Sequence, residues 1–212
     1  ERTLILDGDN ICGAGLTVCG CGNLQVFTVT DAQNGLCRAK QAALQHPKHK
    51  NLYVMPTIGG ATEQAAENAV KEVENLFDYI ICDNYASKVC RAAAIVTEPY
   101  LLSVKAADAK ICVLKDRGIK ISGVIVNKVN GGLLLEGKII SPQDIAESLR
   151  VPLLAVIPED LTLPLGIIRQ QSQKYFRLAS QSLIGKNKKI YDPAAGYAGL
   201  SGYFKRKMRE RI

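Results

Sequence analysis

The sequence predicts an α/β fold with a doubly wound, mostly parallel sheet that carries helices on both faces. Three observations lead to this prediction: short apolar runs recur along the chain, helical patterns lie between most of them, and no internal repeat or low-complexity linker interrupts the alternation. The chain has 212 residues, of which 47% are hydrophobic and 22% charged, so it is long enough to bury a core.

The apolar runs each end in a polar residue or a proline, which is typical of strands buried in a parallel sheet. They are Thr3–Leu6, Leu52–Met55, Tyr79–Cys82, Ala93–Val96, Ile121–Val126 and Leu153–Ile157.

Four helices are predicted between these strands, at Asp31–Gln45, Thr62–Leu76, Ser103–Arg117 and Ser141–Leu149. Ser141 is a suitable N-cap for the last of them, with Pro142 in its first turn. Gly118 is well placed to end the third.

Composition excludes several classes of protein. No apolar run reaches the roughly 20 residues of a membrane-spanning helix, and the first residues are not a signal peptide, so a cytoplasmic protein is expected. The seven cysteines are irregularly spaced and odd in number, which disfavours a disulfide framework. Cys12, Cys19 and Cys21 lack a second pair that would complete a tetrahedral metal site.

The positive charge is concentrated at the carboxyl end. Residues 186–212 hold eight basic and two acidic side chains, which is +6 of the net charge of +7. We therefore predict an α/β domain over residues 1–185 and a basic tether with an amphipathic segment over residues 186–212.

Polar side chains follow the predicted strands, and in this fold ligands bind beyond the carboxyl ends of the strands. Two carboxylates on neighbouring strand ends suit a Mg²⁺-nucleotide, although Asp7 and Asp83 can instead cap loops. The candidate residues are Asp7, Asp9, Pro56, Asp83, Glu98, Asn127, Pro158, Glu159 and Asp160.

Four segments resemble the MinD/ParA family of deviant-Walker P-loop ATPases. Leu4–Asp9 resembles the second strand and first switch of that family, and Phe77–Asp83 resembles its Walker B strand. Val124–Lys128 is similar to the strand whose asparagine reads adenine. Ser141–Asp160 is similar over its whole length to a helix, a strand and the base-pocket loop, and this block is the most specific.

The resemblance implies ATP and Mg²⁺ as cofactors. It implies that Asp9 orients the attacking water and that Asp83 holds the metal shell. The remaining cofactor-binding residues that it implies are Asp7, Asn127, Lys128, Pro158, Glu159 and Asp160, with Asn127, Pro158 and Glu159 bordering the adenine. A loop-closing role is the alternative for Asn127.

The sequence departs from the family pattern at the phosphate-binding loop. No G-x-x-x-x-G-K-[ST] motif occurs in the 212 residues, and Gly15–Gly20 is interpreted as a flexible loop without the required lysine. We expect an N-terminal truncation that removes the first strand, loop and helix, with a natural pseudo-ATPase as the alternative. Asp83–Ser87 also differs from the Asp-Ser-Pro-Ala-Gly switch of MinD proteins.

The tail resembles the membrane-binding helix that ends MinD proteins. Lys and Arg side chains alternate there with apolar ones, which favours an anionic membrane surface over DNA. A solvated basic terminus is the other alternative. The predicted membrane residues are Leu200, Tyr203, Phe204, Lys205, Arg206 and Met208.

The resulting hypothesis is a MinD-like ATPase subunit for division-site placement or intracellular positioning. It is expected to dimerise around ATP, to lie on the inner face of the cell membrane and to bind a division inhibitor or topological regulator of the Min type. As these 212 residues stand, hydrolysis is not expected. The alternatives are a non-catalytic adaptor of the same fold and a ParA-like DNA-partition ATPase.

Overall fold

The computed structural model describes residues 1–8, 14–22, 24, 27–83, 90–186 and 189–197. The chain divides into two compact units, residues 1–91 and residues 92–212. Across the described residues, no helix is both long enough and apolar enough to cross a membrane.

The first unit contains a four-stranded sheet in the order β2-β3-β1-β4. β1 pairs in parallel with both β3 and β4, whereas the short β2 is antiparallel to β3. The elements of this unit are β1 (Thr3–Asp7), α1 (Ala14–Val18), α2 (Val29–Gln33), α3 (Ala39–Ala42), β2 (Leu44–Gln45), β3 (Leu52–Pro56), α4 (Glu63–Val73), a 3₁₀ turn (Glu74–Leu76) and β4 (Tyr79–Cys82).

The main core of the first unit lies between β1 and α4. Leu4 and Leu6 are fully buried on the strand, and the apolar face of α4 packs in the same cluster. That face is built mostly of alanine and valine, and α4 also packs against α2 and α3. The Thr62 side chain accepts a hydrogen bond from the Ala65 N–H and so begins α4 where the sequence predicts.

The predicted helix Asp31–Gln45 is wrong as a single element. Thr28 and Asp31 form a capping box that begins α2, but Gly35 has a φ of 74°, which ends the helical path. α3 follows as one short turn, and Gln45 pairs with Tyr53 in the sheet. The pattern of apolar residues did not reveal this interruption, because the strand pairing of β2 is a tertiary interaction.

The Gly15–Gly20 segment is helical from Gly15 to Val18 and is not the flexible loop that the sequence predicts. α1 ends at Val18, and the N–H of Gly20 donates to the carbonyl of Thr17. Leu16 and Cys21 are buried together with Val54 in a small apolar cluster. Burial of these two side chains offsets the conformational freedom of a glycine-rich segment.

The second unit contains a three-stranded, fully parallel sheet in the order β5-β6-β7. Its strands appear where the sequence predicts, although β6 extends to Val129 and so includes Asn127 and Lys128. The elements are β5 (Ala92–Thr97), α5 (Leu101–Asp116), β6 (Lys120–Val129), α6 (Gly131–Leu135), α7 (Pro142–Leu149), β7 (Leu153–Pro158), a 3₁₀ turn (Leu163–Leu165), α8 (Gln170–Leu183) and a 3₁₀ turn (Ala195–Tyr197).

The predicted boundary signals of this unit are confirmed. Ser141 caps α7 by accepting a hydrogen bond of 3.1 Å from the Asp144 N–H, and Pro142 is the first helical residue. Gly118 has a φ of 76° directly after Arg117, the C-cap of α5.

α8 was not predicted from the sequence. Ser172, Tyr175 and Ala179 are buried along one side of this helix, and Tyr175 and Ala179 pack with Ala155 and Ile157 of β7. Their spacing of three and four residues is the signal that could have revealed it. Most of the other residues of α8 are polar and exposed, which hid the pattern.

Each sheet ends in a parallel edge strand with an exposed apolar side. On β4, Tyr79 is 37% and Ile81 is 54% exposed, and on β5, Val96 is 62% exposed. Parallel sheets are usually covered on both faces, so these two strands are unusual members of their sheets.

Candidate functional site

Asp7 holds the carboxyl end of β1 to the start of α1. Its Oδ2 accepts a hydrogen bond of 2.8 Å from the backbone N–H of Gly15. Its backbone carbonyl accepts another, of 2.7 Å, from the buried hydroxyl of Thr57. A Cβ added at Gly15 would lie 2.7 Å from this carboxylate oxygen, so a glycine is required for the approach. Asp7 therefore has a structural role in addition to any ligand contact.

Asp83 lies beside Asp7 on the neighbouring strand. The register of β1 and β4 pairs Leu6 with Cys82, and the N–H of Asp83 donates to the Leu6 carbonyl over 3.0 Å. The side chain of Asp83 is exposed, whereas that of Asp7 is buried. The structure thus places the two predicted carboxylates at one sheet edge in different environments. Asp9, the predicted catalytic residue, lies outside the described residues.

Two cysteines, Cys19 and Cys82, lie near these carboxylates. Burial, Cys21 and Asp7 raise the pKa of the Cys19 thiol. A hydrogen bond to Cys90 and burial raise the pKa of Cys82, the last residue of β4. Both thiols therefore remain protonated at neutral pH. Over the ranges that the structure describes, no group of three or more His, Cys, Asp or Glu side chains is arranged to hold a metal ion.

In the second unit, Lys128 and Glu98 form an ion pair at the ends of β6 and β5. The Lys128 Nζ lies 2.5 Å from Glu98 Oε1, and this hydrogen bond and the charge of Glu98 raise the pKa of Lys128. The Lys128 backbone has a φ of 54°, a left-handed conformation that is uncommon for a residue with a side chain. This strain at a strand end is a feature that accompanies functional sites.

Asn127 and Glu159, two predicted adenine-bordering residues, are each held by a neighbour. The Asn127 Oδ1 accepts a hydrogen bond of 2.9 Å from the Lys128 N–H. Glu159 Oε2 accepts one of 2.9 Å from Asn130 Nδ2, and Asn130 also caps α6. Asn130, whose side chain joins the ends of β6 and β7, was not predicted as a site residue. Its place before two glycines was the available signal, since asparagine is a favoured N-cap.

Pro158 ends β7 opposite Val129, and the N–H of the following Glu159 donates to the Val129 carbonyl over 3.1 Å. This backbone bond and the bond from Asn130 to Glu159 join the ends of the two strands. The predicted base-pocket residues Asn127, Pro158 and Glu159 are therefore brought together at one edge of the second sheet.

Asp160 organises the loop between β7 and α8. Its Oδ1 accepts hydrogen bonds from the Thr162 N–H and hydroxyl, and its Oδ2 accepts one from the buried hydroxyl of Ser172. These bonds lower the pKa of Asp160 to about 2. The carboxylate predicted to contact a cofactor thus has all of its described bonds within the loop and α8.

The six predicted membrane residues, Leu200, Tyr203, Phe204, Lys205, Arg206 and Met208, lie outside the described residues.

Comparison with known sequences gives consistent relatives. The chain is 28% identical over 177 residues to a septum site-determining MinD relative from Guillardia theta, covering 75% of this chain and 64% of the relative. It is 31% identical over 180 residues to the septum site-determining protein MinD of Thermotoga maritima, covering 75% of this chain and 65% of the relative. The chain thus spans slightly less than two thirds of the length of these curated relatives. No protein-family model matches it.

Solved structures show the same fold. The MinC:MinD cell division protein complex of Aquifex aeolicus superposes with a TM-score of 0.80 at 20% identity, covering 90% of this chain and 86% of that one. MinD of Pyrococcus horikoshii complexed with Mg-ADP gives a TM-score of 0.69 at 22% identity, covering 89% and 87%.

The parallel sheets and the polar residues at their carboxyl ends define an α/β protein of the P-loop NTPase type, which confirms the predicted fold class. Together with the sequence similarities, they support a relationship of this chain to the MinD/ParA family.

Replacement of Asp7 tests its structural role. Asp7→Ala leaves the Gly15 N–H without its acceptor, and we expect the free energy of unfolding to fall by about 2 kcal/mol. The matched variant Asp83→Ala changes an exposed carboxylate on the adjacent strand, and we expect a change within about 0.5 kcal/mol. Urea unfolding followed by circular dichroism measures both, and equal effects would contradict the assignment.

The lowered pKa of Asp160 predicts a pH-dependent contribution to stability. A carboxylate with a lower pKa in the folded state stabilises the fold above its unfolded pKa, near 3.8, and loses this effect as the pH falls through the folded value of about 2. We expect the stability difference between wild type and Asp160→Asn to shrink between about pH 4 and pH 2.

Urea unfolding across this pH range measures the difference. Asp108→Asn, on an exposed position of α5, is the control. A difference between wild type and Asp160→Asn that stays constant over the window would refute the proposed role of the carboxylate.

Proposed function

We propose that the chain is part of a MinD-like ATPase subunit that places the division site or positions other intracellular cargo. The observation that carries the proposal is the sequence similarity to septum site-determining MinD proteins. The arrangement of polar residues at the carboxyl ends of the strands supports it, because this edge is where ligands bind in such folds.

The residues of the second unit suit recognition of a nucleotide base. The amide of Asn127 uses its oxygen on the Lys128 N–H, which leaves its nitrogen oriented as a donor for a base edge. Glu159 is fixed by Asn130, and Lys128 is fixed by Glu98, so the site is held before a ligand arrives. The relative from P. horikoshii that binds Mg-ADP supports the choice of nucleotide.

The residues of the first unit suit the metal and the water. The exposed carboxylate of Asp83 would contact the Mg²⁺ shell, and Asp9 would orient the attacking water, while Mg²⁺ would neutralise charge on the phosphates. Asp7 would be a positioning residue, because its carboxylate already accepts a hydrogen bond from the Gly15 N–H in α1. Carboxylate oxygens are suitable ligands for Mg²⁺ and its water shell, so the chemistry of these side chains fits the proposed roles.

Hydrolysis also needs a phosphate-binding segment that these 212 residues do not contain. The apolar side chains exposed on β4 and β5 support the absence of such a segment, because a further strand or helix could cover each of these parallel edge strands. We infer that these 212 residues alone are catalytically incompetent. The alternative is an adaptor of the same fold that has no phosphate chemistry.

Calorimetric titration with Mg-ATP tests this inference. The 212 residues lack the lysine and the cradle of backbone amides that hold the phosphates, so we expect no micromolar binding. P. horikoshii MinD titrated with Mg-ADP under the same conditions is the positive control. Micromolar affinity for ATP in this chain would contradict the inference.

The coding sequence upstream of Glu1 separates the ATPase from the adaptor. An in-frame glycine-rich segment with two lysines supports the ATPase, and a start codon directly before Glu1 supports the adaptor.

We also propose that the tail binds an anionic membrane at the inner face of the cell membrane. Each basic residue contributes about 1 kcal/mol of binding free energy near such a surface, and the apolar residues would insert into the membrane interface. Weak binding by each tail makes a homodimer the effective membrane-binding form. A division inhibitor or topological regulator is the proposed partner, and the MinC:MinD complex of A. aeolicus supports a partner of this type.

Vesicle sedimentation tests the tail. We expect residues 1–212 to sediment with anionic vesicles and a variant lacking residues 198–212 to remain in solution. Part of the binding should persist at high salt, because apolar contacts are not screened. Loss of all binding at high salt, with transfer of the protein to competing duplex DNA at low salt, would instead favour the DNA-partition alternative.

A further inference from the structure

The β7–α8 loop, residues 159–169, exposes four large aliphatic side chains. The exposed fractions are 79% for Leu161, 73% for Leu165, 54% for Ile167 and 61% for Ile168. Single exposed apolar residues are ordinary on a protein surface, whereas a group of them indicates an interaction surface. This loop therefore presents an apolar surface that is suited to a partner.

The backbone of the loop is hydrogen-bonded within the loop itself. From residue 162 to residue 167 every backbone N–H donates to Asp160, Thr162 or Leu163, and Pro164 has no N–H to donate. A peptide that adds as a strand needs free backbone groups, whereas a lipid interface favours segments whose backbone groups are already bonded. The loop is therefore suited to contact a partner through its side chains, as a lipid surface requires.

The charge that follows the loop is entirely positive. Residues 161–191 hold six basic side chains and no acidic one, whereas residues 92–160 hold eight of each. Arg169 directly follows Ile168, and Lys174 and Arg177 are exposed on α8. A surface with this charge attracts a negatively charged partner.

We propose that the β7–α8 loop is a second membrane contact of this chain. Its aliphatic side chains enter the interface of an anionic bilayer, and Arg169, Lys174 and Arg177 contact the lipid headgroups. The contact extends the membrane association that we propose for the tail, and it needs no nucleotide. Because two weak contacts on one chain reinforce each other, the loop strengthens binding by the tail and does not replace it.

A single tryptophan reports on the loop, because the chain contains no tryptophan. Leu165→Trp is made in the full chain with an added amino-terminal histidine tag, which holds the protein on vesicles that contain a nickel-chelating lipid. The other lipids are phosphatidylglycerol and phosphatidylcholine, with or without brominated acyl chains. We expect the tryptophan emission to shift to shorter wavelength on these vesicles and to be quenched by the brominated lipid. Leu161→Trp should behave in the same way, so the result does not depend on one substitution.

Val113→Trp is the matched control. Val113 is exposed near the end of α5, which leads into the start of β6, so it lies at the opposite edge of the second sheet. Its emission should be the same on the vesicles as in solution. Vesicles without phosphatidylglycerol are the control for charge, since the tag still holds the protein there. On them, we expect the shift of Leu165→Trp to be smaller, because the attraction to anionic headgroups is absent.

Three outcomes would overturn the proposal. One is that both loop variants, held on anionic vesicles by the tag, keep the emission that they have in solution. Another is equal quenching of Val113→Trp. The third is a loop emission that is unchanged on vesicles but shifts when an acidic amphipathic peptide of Leu and Glu is added, which would make the partner a protein.

The tail is tested separately, because sedimentation of the untagged protein does not depend on the tryptophan. Sedimentation with vesicles together with an unquenched loop would leave the tail proposal standing and remove this one. Calorimetry with Mg-ATP decides the nucleotide proposal independently of both.

Discussion

Parallel strand pairing is the constraint on which the arrangement of the candidate site depends. In a parallel sheet the carboxyl ends of all strands meet at one edge, so residues far apart in sequence become neighbours there. β1 and β4 bring Asp7 beside Asp83 in the first unit, and β6 and β7 bring Asn127 beside Glu159 in the second. The apolar side chains in the middle of β1, β3, β6 and β7 are buried, and this burial fixes the register that places the polar ends.

Hydrogen bonds to neighbouring groups hold the polar residues at the strand ends. These residues therefore have a structural role besides the proposed binding role. Asp7 is bonded to Gly15, and Asp160 is bonded to Thr162 and Ser172. A buried or half-buried carboxylate is costly without hydrogen-bond donors, so these bonds stabilise the loops, and for Asp160 they also lower the pKa. The same groups that would contact a nucleotide therefore also keep the loops in place, which is how a site is organised before its ligand binds.

Two edge strands leave apolar side chains exposed. Tyr79 and Ile81 on β4 and Val96 on β5 are exposed, although both strands belong to parallel sheets, whose faces are usually covered. The 212 residues also contain no G-x-x-x-x-G-K-[ST] motif for holding phosphates. Each of these two strands therefore presents an apolar surface that the described residues leave open to solvent.

The sequence by itself determined six of the seven described strands, the caps of α4 and α7 and the end of α5, because apolar periodicity and capping residues act over a few neighbours. Only the tertiary structure decided the division of residues 31–45 into two helices and a strand, and the helix α1. It also decided that Asn130 holds Glu159 and that Ser172 holds Asp160. These outcomes depend on partners 8 to 29 positions away, or on burial against another strand, and no local sequence pattern identifies which distant residue will make the contact.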